Sequence, residues 1–228
     1  RLKEEGGLRI SHECIYQHIY KDKRAGGDLI EHLRCQKVRR KRYGSGQERR
    51  GTLKGRTCIE QRPAIVEARS RIGDWEGDTV IGKGHQGVLV TLVERKSCYT
   101  LAQQLDSRHS AGVTEAVIAL LRPHKSLCQT ITFDNGKEFA RHIGIARALG
   151  AKSYFAHPYS PWERGTNENT NGLIREYLPK GSSFSDLRQE KLDAIVARLN
   201  DRPRKCLGYK TPKEVFLANC TKANNCCT

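Results

Sequence analysis

The 228 residues contain no methionine, and residue 1 is arginine. An open reading frame begins with methionine, so the chain reads as a fragment whose front end is missing. No apolar run approaches the length needed to cross a bilayer, and no signal peptide opens the chain. There are nine cysteines, but no CxxC pair, and their number is odd and their spacing irregular. That excludes a zinc knuckle or a disulfide framework as the organising device and fits scattered thiols in a reducing cytoplasm. Anionic residues are in deficit too, with 25 Asp+Glu against 41 Lys+Arg and a formal charge of +16. Such an excess of cations favours nucleic acid over small neutral ligands.

What is present begins with enough apolar residues (37%) to bury a core, so the chain should fold rather than stay disordered. The positive charge is concentrated: residues 37–56 hold nine cations and one anion. With its Gly and Ser, this segment is expected to be an exposed arm that touches phosphates, Arg39, Arg40, Lys41 and Arg42 foremost. Before it, Ser11 can cap a helix in which Ile10 staples onto Ile15, and a second helix is expected from Gly27 to Cys35, a weak helix-turn-helix pattern.

From Gly73 the pattern changes to strands. Asp74–Ile81, Gly87–Val93 and Cys98–Leu105 read as an antiparallel meander with turns at 82–84 and 95–97. A helix over 111–121, a strand over 128–133, a helix over 137–149, a strand over 153–156 and a helix beginning between Ser160 and Gly165 follow. Three strands, then helix and strand alternating, is the order of a ribonuclease-H-like α/β fold with a mixed five-stranded sheet. A last amphipathic helix is expected over 186–200, and residues 219–228 are expected to be unstructured. The implied division is a partial helical DNA-binding region at 1–36, a basic linker at 37–62, a core at 63–217 and a polar tail at 218–228.

Three acidic segments carry candidate chemistry: WEGDTV, TFDNGKEF and GTNENTNGLIREYLPKG. Two divalent ions about 4 Å apart need shared carboxylates, which also offset their charge. At about 100° per residue, Leu173, Ile174, Tyr177 and Leu178 fall opposite Glu168, while Asn171 and Arg175 fall on its side. Glu168 therefore faces a cleft or solvent. On the first segment Asp74, Glu76 and Asp78 share one strand face, and alternation cannot separate them. Glu163 is read as a cap or loop residue, Glu138 as an acid favouring a helix start, and the lone His157 as structural.

These motifs resemble those of the insertion sequence 30 type of transposases, in the retroviral-integrase-like group. The matching stretches are RISHECIYQHIY, GDWEGDTVIGKG, TFDNGKEF, HPYSPWERGTNENTNGLIREYLPKG and LNDRPRKCLGYKTPKEVF, nearly the whole chain from Ile10 to Phe216. The resemblance implies that Asp78, Asp134 and Glu168 are the catalytic, metal-holding acids, with 33 residues between the last two. It also implies magnesium, or alternatively manganese, as cofactor. The implied partners are double-stranded DNA, both element terminal inverted repeats and target, and further copies of the chain assembled on it in the bacterial cytoplasm. Arg175 and Lys180 join the arm as candidate DNA contacts. A hydrolytic nuclease of the same fold, or a DNA-binding repressor derived from a transposase, is the rival reading.

Overall fold

The computed structural model describes residues 10–32, 53–158 and 160–225. The chain divides into two compact units, 1–50 and 51–228. In the first, α1 (His12–Arg24) starts where the Ser11 side chain accepts a hydrogen bond from the Cys14 N–H at 3.2 Å. The expected staple does not form a buried contact, since Ile10 and Ile15 are both half exposed. Among the described residues of this unit only Ile30 is buried. The expected second helix is a single 3-10 turn, Leu29–His32, within the described residues. The reason lies at Gly26 (φ +86°) and at Asp22, whose carboxylate accepts the Leu29 N–H at 3.1 Å and reverses the chain. The segment 33–52, which includes Arg39, Arg40, Lys41 and Arg42, lies outside the described residues.

The second unit is built on one sheet of order β3-β2-β1-β4-β5. Strands β1 (Asp74–Ile81), β2 (Val88–Glu94) and β3 (Thr100–Leu105) form the antiparallel meander, while β4 (Thr130–Phe133) and β5 (Lys152–Phe155) run parallel to β1. Every residue of β2 is buried, which requires cover on both faces of the sheet. Val90 and Leu92 point into one core with α3 (Ser110–Leu121), α4 (His142–Leu149) and α7 (Pro212–Asn225). Leu89 points into the other, with α5 (Gly165–Tyr177) and α6 (Gln189–Asn200). Each fully buried Leu or Phe contributes roughly 1.5–3 kcal/mol of transfer free energy. The short α2 (Ala64–Glu67) precedes the sheet.

Three boundaries differ from expectation. The helix expected over 137–149 is broken into a 3-10 turn, Lys137–Phe139, and α4, because Phe139 turns inward to stack on Phe133 at 4.4 Å. The tail expected to be unstructured continues α7 to Asn225. Thr211 and Glu214 exchange hydrogen bonds at 2.8 and 3.1 Å in a capping box, Phe216 stacks on Tyr99 at 4.4 Å, and Lys96 holds Asn219 at 2.8 Å. Finally, residues 53–62 are not a free linker. Leu53 is buried in the core, the Lys54 carbonyl meets the His142 ring at 3.2 Å, and Phe155 of the outer strand donates to the Thr57 carbonyl at 2.9 Å.

Candidate active site

The parallel register of β1 and β4 pairs Asp74, Trp75 and Glu76 with Thr130, Ile131 and Thr132. Continued two residues further, the same register puts Asp78 level with Asp134. The two strands approach closely just before these acids. A Cβ added at Gly77 would lie 2.6 Å from the Phe133 ring, so only glycine fits there. Asp134 ends its strand by accepting the Gly136 N–H at 2.9 Å, and a Cβ at Gly136 would strike both Asp134 and Glu138.

The three acids that alternation could not separate meet different partners. Asp74 is buried and held by Nε and Nη2 of Arg71, each at 2.9 Å, and by the Thr130 hydroxyl at 2.7 Å. Glu76 is fully buried, ion-paired to Arg95, and accepts the Asn167 N–H at 2.9 Å. Asp78 alone keeps a partly open side chain, 21% exposed. Burial first, and the neighbouring Asp134 carboxylate as well, push its carboxyl up to about 6, against the opposing pull of Arg164.

Arg164 binds both acids: its guanidinium lies 3.4 Å from Asp78 and 3.7 Å from Asp134. It precedes α5, which is seated on the sheet by polar side chains. Asn171 donates to Asp78 at 2.9 Å, and the Thr91 hydroxyl donates to Asn171 at 3.0 Å. Glu76 adds its carboxylate at the first turn of α5, favourable for the N–H groups exposed at a helix start. Glu168 stands on that first turn, its side chain exposed and without a hydrogen bond or ion pair among the described residues. The structure thus brings Asp78 and Asp134 to one guanidinium, while the three acids do not form a group with ligand oxygens all within 4.8 Å of one another. The apolar face of α5 is the one expected, with Ile174 and Leu178 buried opposite Glu168.

Arg175 is placed differently from expectation. Its guanidinium donates to the Ile81 carbonyl at 3.0 Å and lies over the Phe184 ring at 5.4 Å, tying α5 to the end of β1. That is an internal structural task, and burial lowers its pKa. Lys180 is exposed. Glu138 stands in the first turn of the Lys137–Phe139 3-10 helix, as expected of an acid at a helix start, and also accepts the Thr79 hydroxyl at 2.9 Å, bridging β1 to the turn after β4. Glu163 does not close a capping box with Ser160; it binds the backbone and ring of His157 at 2.7 and 2.8 Å. Arg164 is the site residue that sequence reading passed over, while Glu76 and Asn171 were placed on the right faces without their partners. Arg164 and Asn171 lie one turn before and after Glu168, so helical spacing alone was the signal available.

No protein-family profile matches the chain. It is 47% identical over 216 residues to the transposase for insertion sequence element IS4351 of Bacteroides fragilis, covering 95% of this chain and 66% of that protein. It is 41% identical over 218 residues to transposase InsI of element IS30A of Escherichia coli K12, covering 92% and 56%. The chain belongs to the IS30 family of transposases. This IS30-family chain spans less than two thirds of the curated relatives it matches. The catalytic core of BIV integrase shares its fold, with a TM-score of 0.54, 20% identity, and cover of 67% of this chain and 98% of that one. The chain therefore shares the ribonuclease-H-like fold of that core. Among the described residues, no helix is long and apolar enough to cross a membrane.

Proposed function

We propose that this IS30-family chain cuts DNA at the ends of an insertion element and joins them to target DNA, using Asp78, Asp134 and Glu168. One observation carries the reading: Asp78, within β1, and Asp134, just past the end of the adjacent parallel strand β4, already share a cation, the Arg164 guanidinium. The donors are all carboxylate oxygens, which suit a hard divalent ion, magnesium by preference and manganese as an alternative. The carboxylates of Asp78, Asp134 and Glu168 would hold two such ions. Bound there, the ions activate the attacking oxygen and stabilise the leaving one. Asn171 orients Asp78 through its 2.9 Å hydrogen bond, and Glu168 enters from α5 with no competing partner.

In the first step water attacks a phosphodiester and releases a 3′-hydroxyl at the element end. In the second that hydroxyl attacks a target phosphodiester, so one P–O bond forms as another breaks and no covalent enzyme intermediate is needed. Double-stranded DNA is the substrate, and joining two ends calls for more than one copy of the chain on it. The test is a strand-transfer assay with labelled element-end duplexes and magnesium. Joined products are expected, and Asp78→Asn, Asp134→Asn or Glu168→Gln should each abolish them while DNA binding persists. Hydrolysis without joining would leave a plain nuclease instead, and activity surviving Glu168→Gln would remove that residue from the site.

A further inference from the structure

Outside the cleft, side chains distant in sequence converge around the ring of His157. The Cys58 sulfur lies 3.3 Å from Nε2, and a Glu60 carboxylate oxygen lies 3.5 Å from the same nitrogen. Among the described residues this is the only group of three acidic, thiol or imidazole ligand atoms all within 4.8 Å of one another. We propose that Cys58, Glu60 and His157 form a zinc site separate from the carboxylates of the cleft, and that the ion fastens the segment before α2 to the loop leading into α5.

The distances fit. Zinc bonds of about 2.3 Å to sulfur and about 2.0–2.1 Å to nitrogen or oxygen, at tetrahedral angles, separate ligand atoms by roughly 3.3–3.6 Å. The two measured separations fall in that range. The far side of the ring is also built as metal-bound histidines are, since Nδ1 lies 2.8 Å from the Glu163 carboxylate. That carboxylate keeps a proton on Nδ1, so in the neutral ring Nε2 presents its lone pair to a thiol and a carboxylate. Without metal the thiol proton occupies that lone pair. A zinc ion takes its place as the thiolate forms, and one proton leaves for each ion bound.

The scaffold holds the ligands in register. Cys58 forms a parallel bridge with Phe155, the last residue of β5, and His157 follows two residues later. Glu60 is in the 3-10 turn Ile59–Gln61. His157 is 38% exposed and Glu60 76%, which leaves room for water as a fourth ligand. Thiolate with imidazole selects zinc, whereas the oxygen-only donors of the cleft select magnesium, so the two sites take different ions.

The experiment is a cobalt titration of the metal-stripped chain, read by thiolate-to-cobalt charge-transfer absorption. One equivalent is expected to develop the band, and zinc is expected to erase it. Cys58→Ser and His157→Ala should lack the band. Glu163→Gln should keep it with affinity weakened about 10–100-fold. The Asp78→Asn, Asp134→Asn, Glu168→Gln triple variant should retain it unchanged, whatever becomes of the catalytic reading. Cys58 is half-buried and its serine variant is nearly isosteric, so loss of fold does not confound that arm. Absence of a thiolate band, or a band that survives Cys58→Ser, overturns the proposal.

Discussion

Asp74, Glu76 and Asp78 alternate along one strand, yet each occupies a different electrostatic setting, and substitutions should reveal it. The Asp78 carboxyl titrates at about 6 in the folded chain, above its ordinary value of 3.8. A raised carboxyl stabilises the fold below the unfolded value, and that contribution is lost as pH rises through the folded one. Without divalent ions the chain should therefore lose up to about 3 kcal/mol between pH 4 and 7 from this group. Asp78→Asn should remove that loss, so urea midpoints in chelator should rise relative to the parent at pH 7 and match it near pH 4. A variant less stable than the parent at pH 7 would contradict the account. Glu76 should behave in the opposite way. Its removal leaves Arg95, itself only 2% exposed, without its buried partner and strips the Asn167 N–H of its acceptor. Glu76→Ala should cost about 3–5 kcal/mol in urea unfolding. A cost below about 1 kcal/mol would mean that the exposed Glu67, 3.0 Å from Arg95, carries the pair instead.

At the level of elements, the site depends on how closely β1 approaches β4 and on how α5 sits across β1 and β2. Gly77→Ala places a methyl group against the Phe133 ring, the residue before Asp134. Overpacking of this kind costs about 1–3 kcal/mol. Because the displaced ring adjoins an acid, strand transfer should fall far more than the stability loss explains. Comparing product yield with thermal melting checks this, and equal losses would deny the strand spacing a role in the site. All five strands and the exposed placement of Glu168 were legible in the sequence, because alternation and helical spacing record which face is buried. The cores follow the same signal. What was not legible depends on distant contacts: Phe139 breaks a helix by stacking on Phe133, and Phe216 makes a helix of a polar tail by stacking on Tyr99. The buried face of α5 near its start is polar, with Thr166, Asn167 and Thr170, so a reading based on apolar residues finds only its second half. Arg164 escaped, and Glu76 could not be told from Asp78, for a related reason, since a charge reads as surface until its partner is seen.

Over the whole molecule, positive charge far exceeds negative and is densest at 37–56. That arm is expected to bind DNA through phosphates without reading sequence, since a run of Lys and Arg gains affinity by releasing counterions. Converting Arg39, Arg40, Lys41 and Arg42 to Gln should flatten the slope of log affinity against log salt by about 3–4, at ~0.9 per phosphate contact. The loss should be similar on an element-end duplex and on a random one. An unchanged slope would make the arm a passive tether, and a loss confined to the element end would make it a reader of bases.

The packing of residues 53–62 along the outer side of β5 also bears on how the core can be handled. A chain trimmed at Arg62, where composition alone would draw the boundary, gives up Leu53 from the core, the carbonyl that meets His142 and the acceptor at Thr57. It would bare the end of β5 at Phe155, lengthening the open edge on which a second chain can add its own strand. Such a fragment should precipitate at concentrations where residues 51–228 stay in solution. Light scattering of the two fragments would reveal the difference, and the practical rule is to cut ahead of Leu53.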